Sequence, residues 1–216
     1  LYTYEFTSCL IHDTINLGDD MDDSLYKMLR PILTGWFKLF FRPTITGKEN
    51  IPTSGRIVLA GTHTSILDPV FILACNKRVI HFLAKDELIN GPLGFAFKKM
   101  GIIPVNRKEK DVTAMPSSIK ILNNDEVVGI FPEGTINKTD DITMRFKTGA
   151  IRMAYETNSE IVPFAITGKY KIFRKSVKIV YGKPYKVHSN DFRKETDILR
   201  SKVNKLIIGG EWYGYN

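Results

Sequence analysis

The chain has 216 residues, 43% hydrophobic and 25% charged. That is the balance of a globular protein with room for one full core, and it excludes a disordered or fibrous chain. The formal charge is +8, yet residues 1–20 hold Glu5, Asp13, Asp19 and Asp20 with no Lys or Arg, which leaves +12 on residues 21–216. A body this basic suits an anionic partner: nucleic acid, anionic lipid or a phosphorylated small molecule. Cys9 and Cys75 are too far apart to form a metal-binding pair or a disulfide framework, which points to a reducing compartment.

Residues 1–20 show no clear period, carry the opposite charge to the rest and open with no basic-then-apolar leader. They form an atypical segment set apart from the functional reading, with Met21 as a candidate start. Segment 21–45 is different. Leu25, Met28, Leu29, Ile32, Leu33, Trp36, Leu39 and Phe40 recur at helical spacing. Lys27, Arg30, Thr34, Lys38 and Arg42 fall between them on the other side, and Pro31 and Gly35 are expected to bend or interrupt the helix. That many cations argue against a membrane-spanning helix. The pattern fits either a basic amphipathic segment in a lipid interface or a helix packed on the core. The aromatic density of Trp36, Phe37, Phe40 and Phe41 favours the interface.

From residue 46 onward one domain is expected. Short apolar runs predict strands over 57–60, 79–84, 102–105, 127–131, 161–166 and 177–181. Helical patterns cover 69–77, 86–99, 113–123, 145–157 and 190–208, and Asn137 to Thr143 reads as an exposed loop. This alternation predicts an α/β fold: a largely parallel central sheet flanked by helices.

The residues able to carry chemistry follow strand ends. In Gly61-Thr-His-Thr-Ser-Ile-Leu-Asp-Pro69, His63 lies just past a strand, and Asp68-Pro69 reads as a helix N-cap with Pro in the first turn. On one continuous helix the two would face about 140° apart. They can meet only if the chain turns between them. Asp68 could then hold one imidazole nitrogen and leave the other as a general base, the logic of a catalytic triad with the substrate hydroxyl as nucleophile. An N-cap aspartate also arises without catalysis, so the pair gains weight only from its company. Gly101-Ile-Ile-Pro-Val-Asn-Arg107 delivers Arg107 from another strand, a planar fork that matches phosphate. Phe131-Pro-Glu-Gly-Thr135 presents Glu133, with Gly134 permitting close backbone approach. Lys147 and Gly149 can open a helix nearby and add positive charge. Ile161-Val-Pro-Phe-Ala-Ile-Thr-Gly168 reads as a core strand in which Pro163 is unusual.

These four blocks, in this order, resemble the glycerolipid acyltransferase family, and its 1-acyl-glycerol-3-phosphate acyltransferase branch in particular. The matching positions are His63 with Asp68, Gly101 to Arg107, Phe131 to Gly134, and Val162 with Pro163. The resemblance implies that His63 is the base toward the acceptor hydroxyl and Asp68 its orienting partner. It implies that Arg107 binds the acceptor phosphate, with Glu133, Gly134, Thr135 and Lys147 as further substrate-binding residues. Many members carry Arg after Phe-Pro-Glu-Gly-Thr; this chain has Ile136, and Lys138, Arg145 or Lys147 are the cations available to compensate. The implied reaction moves a fatty acyl group from coenzyme A or acyl carrier protein to the sn-2 hydroxyl of lysophosphatidic acid, giving phosphatidic acid. It needs no cofactor, no metal and no Ser or Cys nucleophile. The implied setting is the cytoplasmic face of a bacterial cell membrane, as a peripheral or monotopic protein on an anionic surface.

The alternatives are an acyltransferase acting on glycerol 3-phosphate or another lysolipid, a non-catalytic membrane- or nucleic-acid-binding module, which the positive charge permits, and a metal hydrolase. A nucleic-acid module would interleave basic and aromatic residues on a strand face, which this chain does not. A metal hydrolase built on His63, Asp68 and His81 matches no metal-ligand spacing.

Overall fold

The computed structural model describes residues 23–85, 87, 90–91, 102–105 and 113–211. Residues 1–20, most of the helix expected over 86–99, and Arg107 lie outside them. The fold is a single α/β domain. Helix α1 (Asp23–Phe41) leads into β1 (Thr44–Thr46), a short 3-10 turn (Lys48–Asn50) and β2 (Ile57–Gly61). There follow α2 (Asp68–Cys75), β3 (Ile80–Lys85), β4 (Ile103–Val105), α3 (Ala114–Asn123) and β5 (Val127–Ile130). The chain ends through α4 (Gly149–Thr157), β6 (Glu160–Gly168), β7 (Val177–Tyr181), β8 (Tyr185–Lys186) and α5 (Phe192–Glu211).

The strands form one sheet in the order β1-β7-β6-β2-β5-β3-β4, with β8 also on β6. The contiguous set β6-β2-β5-β3-β4 is parallel, and β7 returns antiparallel beside β6. Parallel strands with helices on both faces are apolar throughout rather than alternating, and every residue of β2 is buried. Alternate side chains divide between two cores. Ile57 and Leu59 of β2, Phe82 of β3 and Val162, Phe164 and Ile166 of β6 face α1 and α2. Val58, Ala60, Val128, Ile161 and Ala165 face the other way, toward α3, α4 and α5.

Pro163 is tolerated in a central strand because β7 and β8 break opposite it. Its carbonyl accepts from Gly182 N–H at 2.8 Å, and its ring lies where a Cβ on Gly182 would touch it, next to Leu206. It therefore packs toward α5, within the core, rather than toward the strand ends.

Helix α1 differs from the sequence reading in two ways. It runs unbroken through Pro31 and Gly35. It also has two apolar stripes rather than one. Tyr26, Phe37 and Phe41 are buried in the core, and Phe37 stacks on Phe71 of α2 at 5.5 Å. Arg30 and Thr34 turn inward as well, donating to the carbonyls of Asn76 and Ala74. The outward stripe is Met28, Ile32, Trp36 and Leu39, between 43% and 65% exposed. Phe37 and Phe41 thus belong to the core and not to a lipid-facing surface. No described helix is long and apolar enough to cross a membrane.

Candidate active site

Because β2, β5 and β6 run parallel, their C-terminal ends share one sheet edge, the place where α/β folds collect ligand-binding groups. His63 follows β2, Glu133 follows β5 and Tyr170 follows β6. The exit from β2 is tightly fixed. A Cβ on Gly61 would lie 2.0 Å from the Phe164 carbonyl oxygen, so only glycine lets β2 and β6 close together there. One residue on, the buried Thr62 hydroxyl accepts from Ile166 N–H at 2.8 Å and extends the β2–β6 contact by a side chain.

His63 Nδ1 lies 3.1 Å from Asp68 Oδ2. A carboxylate only accepts, so Nδ1 carries a proton, and in the neutral ring Nε2 keeps the lone pair. The same Oδ2 accepts backbone N–H from Thr64 at 2.6 Å and Ser65 at 2.8 Å. Asp68 is the first residue of α2 and Leu67 occupies the N-cap position without a side-chain cap bond. The expected capping role is therefore displaced: the carboxylate turns back into the loop instead of capping its helix. It is fully buried. The His63 ring, 17% exposed, stacks on Phe131 at 4.1 Å and 16°, and Phe131 stacks on Phe82 at 5.3 Å. The stack fixes the ring plane and the carboxylate fixes its rotation.

The main chain of His63 is held from the loop after β5. Glu133 Oε1 accepts its N–H at 3.2 Å, and its carbonyl accepts from Asn137 N–H at 2.8 Å. Glu133 Oε2 accepts from Met144 N–H at 2.9 Å. Glu133 is 4% exposed, and burial pushes its carboxyl above the usual value, against the pull of these two N–H groups. Both of its oxygens are engaged by the protein, so here it orders the His63 loop. Gly134 takes a φ of +74°, and the Lys147 ammonium lies 2.8 Å from where its Cβ would be. The Gly134 N–H closes a turn onto Phe131 O at 2.9 Å. Thr135 and Lys147 are exposed beside this turn. Arg107 is outside the described residues; β4, which precedes it, ends on the same sheet edge.

Tyr170 escapes sequence reasoning. Its hydroxyl donates to Asp68 Oδ1 at 2.8 Å, completing the set of donors around the carboxylate. Burial and the neighbouring Asp68 charge push its phenol well above the usual range. Its ring packs edge-on against Phe41 at 5.5 Å and Phe71 at 5.9 Å. The only sequence signal is its position just past a strand end. His81, by contrast, is the second residue of β3 and faces Glu126 at 2.8 Å, at the opposite end of the strand from this sheet edge. Among the described residues no group of three or more His, Cys, Asp or Glu could hold a metal ion.

Comparisons with known proteins give the family and the fold. The model of the family described as Acyltransferase matches residues 42–167. The 1-acyl-sn-glycerol-3-phosphate acyltransferase of Borreliella burgdorferi is 30% identical over 177 residues, covering 76% of this chain and 70% of that protein. The enzyme of the same name from Bacillus subtilis is 32% identical over 154 residues, covering 68% and 75%. The crystal structure of the lysophosphatidic acid acyltransferase PlsC from Thermotoga maritima superposes with a TM-score of 0.64 at 22% identity, over 84% of this chain and 78% of that one, a likeness of fold. The chain belongs to the acyltransferase family and is an enzyme of the 1-acyl-sn-glycerol-3-phosphate acyltransferase type.

Proposed function

We propose that the enzyme transfers a fatty acyl group from a thioester of coenzyme A or acyl carrier protein to the sn-2 hydroxyl of 1-acyl-glycerol-3-phosphate, giving phosphatidic acid. The observation that carries this reading is the His63–Asp68 pair, with Nδ1 committed to the carboxylate at 3.1 Å and Nε2 left as the acceptor. The acceptor hydroxyl gives its proton to Nε2 as its oxygen attacks the thioester carbonyl. The tetrahedral intermediate then expels the thiolate, which takes the proton back from the imidazolium. One C–O bond forms, one C–S bond breaks, and His63 ends neutral. General-base help of this kind contributes about 10²–10⁴ in rate.

In this reading Arg107 pairs with the acceptor phosphate, and Gly134, Thr135 and Lys147 are further acceptor-binding residues. Glu133 serves the acceptor indirectly, by fixing the His63 main chain. The outward stripe of α1 lies in the lipid interface, with the exposed Lys27, Lys38 and Arg42 each adding about 1 kcal/mol of attraction to an anionic surface. The enzyme thus works as a peripheral protein at a membrane that holds its acceptor and its product.

The deciding experiment is mass spectrometry of products formed from lysophosphatidic acid with acyl-CoA and acyl-ACP offered together, and a parallel arm offering glycerol 3-phosphate. Phosphatidic acid formed by the native enzyme and lost in His63→Ala is the expected result. Transfer only to glycerol 3-phosphate, or transfer retained by His63→Ala, would overturn the assignment.

A further inference from the structure

The loop between β6 and β7 has features that the acyl-transfer reaction leaves unexplained. It reads Lys169-Tyr-Lys-Ile-Phe-Arg-Lys-Ser176. Its base is closed firmly: Lys169 N–H donates to Ser176 O at 2.9 Å and the Ser176 hydroxyl donates to Lys169 O at 2.6 Å. Its far side is tied to α1, where Phe173 N–H donates to Phe40 O. Between these ties Ile172 and Phe173 are each 61% exposed. Phe173 also holds a φ of +60°, a left-handed backbone unfavourable for a bulky side chain. A large apolar pair held outward on strained backbone, beside the exposed stripe of α1, marks a contact surface.

Charge and continuity identify the partner. Lys169, Lys171, Arg174 and Lys175 are all exposed around the pair, an array that matches an anionic surface. The Phe173 ring lies 5.5 Å from Phe40, and Phe40 lies 5.5 Å from Trp36 on the outward stripe of α1. The tip therefore continues the apolar stripe of a second element. We propose that the Lys169–Ser176 loop is a second lipid-docking element, its Ile172 and Phe173 entering an anionic bilayer beside α1. This rests on the reading of the protein as an enzyme of lipid surfaces. Two docking points fix orientation where one leaves rotation about α1. Tyr170, two residues from Ile172, is bonded to Asp68, so seating this loop sets the height of the His63 pair above the lipid.

The test compares the native chain with the double variant Ile172→Ser/Phe173→Gly. Glycine relaxes the left-handed backbone while removing the ring, so weaker binding cannot be assigned to strain. Sedimentation is measured with vesicles of phosphatidylcholine and phosphatidylglycerol, and with phosphatidylcholine alone, without acyl donor. The expected result is a roughly tenfold or larger loss of partition into the anionic vesicles, as befits two apolar side chains, with an unchanged melting temperature. KM for vesicle-borne lysophosphatidic acid rises, while kcat on a monomeric short-chain acceptor stays the same. Unchanged partition would overturn the proposal, as would equal native binding to the neutral vesicles. So would a dimer of the native chain that the double variant loses in analytical ultracentrifugation with partition intact, which would make the tip an interface between copies. Because partition is read without turnover, absence of acyl transfer in the native chain would sink the enzymatic reading and leave this one standing.

Discussion

Replacing Asp68 by Asn separates the charge of this side chain from its shape. An Asn placed with its oxygen at the Oδ2 position keeps the three donors from His63, Thr64 and Ser65. Its amide then faces Tyr170, whose phenolic oxygen can accept. Asp68→Ala instead removes every acceptor from a fully buried position. The N–H groups of Thr64 and Ser65 and the Tyr170 hydroxyl are then orphaned, at about 1–3 kcal/mol each. Their sum is comparable with the roughly 5–15 kcal/mol that stabilises a domain. Asn keeps all four bonds and gives up only their charge-assisted part, about 1 kcal/mol for each, which the easier burial of a neutral amide largely offsets. At about 2–4 °C per kcal/mol for a chain of this size, Asp68→Asn melts within a few degrees of the native protein and Asp68→Ala far below it. Activity does not follow that order. Neither variant supplies a negative charge for the forming imidazolium, so both lose about 10²–10⁴ in kcat. The assay is the initial rate of phosphatidic acid formation beside a thermal melt of each variant. An Asp68→Asn enzyme within tenfold of native kcat, or one as unstable as Asp68→Ala, would refute the assigned roles.

Tyr170→Phe should lower kcat about tenfold with KM unchanged, the loss of one hydrogen bond to a charged group; the downfield Nδ1 proton of His63 should shift in its NMR spectrum, whereas a purely structural role would leave that resonance in place. Burial pushes the Cys75 thiol up to about 12, so iodoacetamide at pH 8 followed by peptide mapping should find Cys75 unmodified in the folded protein and alkylated in urea. Glu133 has a raised carboxyl pKa, so its contribution to stability is fully present below the ordinary Glu value and is lost as pH rises through the folded value. Urea unfolding of native and Glu133→Gln proteins from pH 4 to 7 should therefore show the native-minus-variant difference falling with pH; a difference that rises would reverse the sign assigned to burial.

The parts of the fold set by local pattern were legible. Apolar runs bounded by Gly and Pro located β2, β3, β5, β6 and β7, because strands buried on both faces need no alternation to be seen. β1 and β8 were missed; at 3 and 2 residues beside Pro43 and Pro184 they carry too little sequence to show a period. The outward and inward faces of α1 could not be told apart, since its apolar residues form one broad arc whose two edges look alike in sequence. Only packing against Phe71 and Tyr170 selects Phe37 and Phe41 for the core. Helix α4 begins at Gly149 rather than 145, because Phe146 is taken into the core and Lys147 N–H bonds to Pro132 O. Within the site, His63 and Asp68 were visible because they are near neighbours in sequence. Tyr170 is 102 residues from Asp68, inside a run of lysines that reads as a solvated loop, and no spacing rule joins them.

The separation of five residues between His63 and Asp68 has a physical cause in the loop itself. β2 stays extended to Gly61 and α2 begins only at Asp68, so the whole reversal falls on Thr64 to Leu67. Within it the N–H groups of Thr64 and Ser65 converge on Asp68 Oδ2, while Asp68 N–H donates to Ser65 O at 3.1 Å. The loop closes on its own carboxylate, and the imidazole joins as a third donor. The pair is therefore a locally complete unit. What the rest of the molecule contributes is its placement, through Glu133 and Asn137 on the main chain of His63 and Tyr170 on the far oxygen of Asp68. A change in those supports moves the base relative to its substrate without breaking the bond between imidazole and carboxylate, and it is at that level that loops remote in sequence can control the reaction.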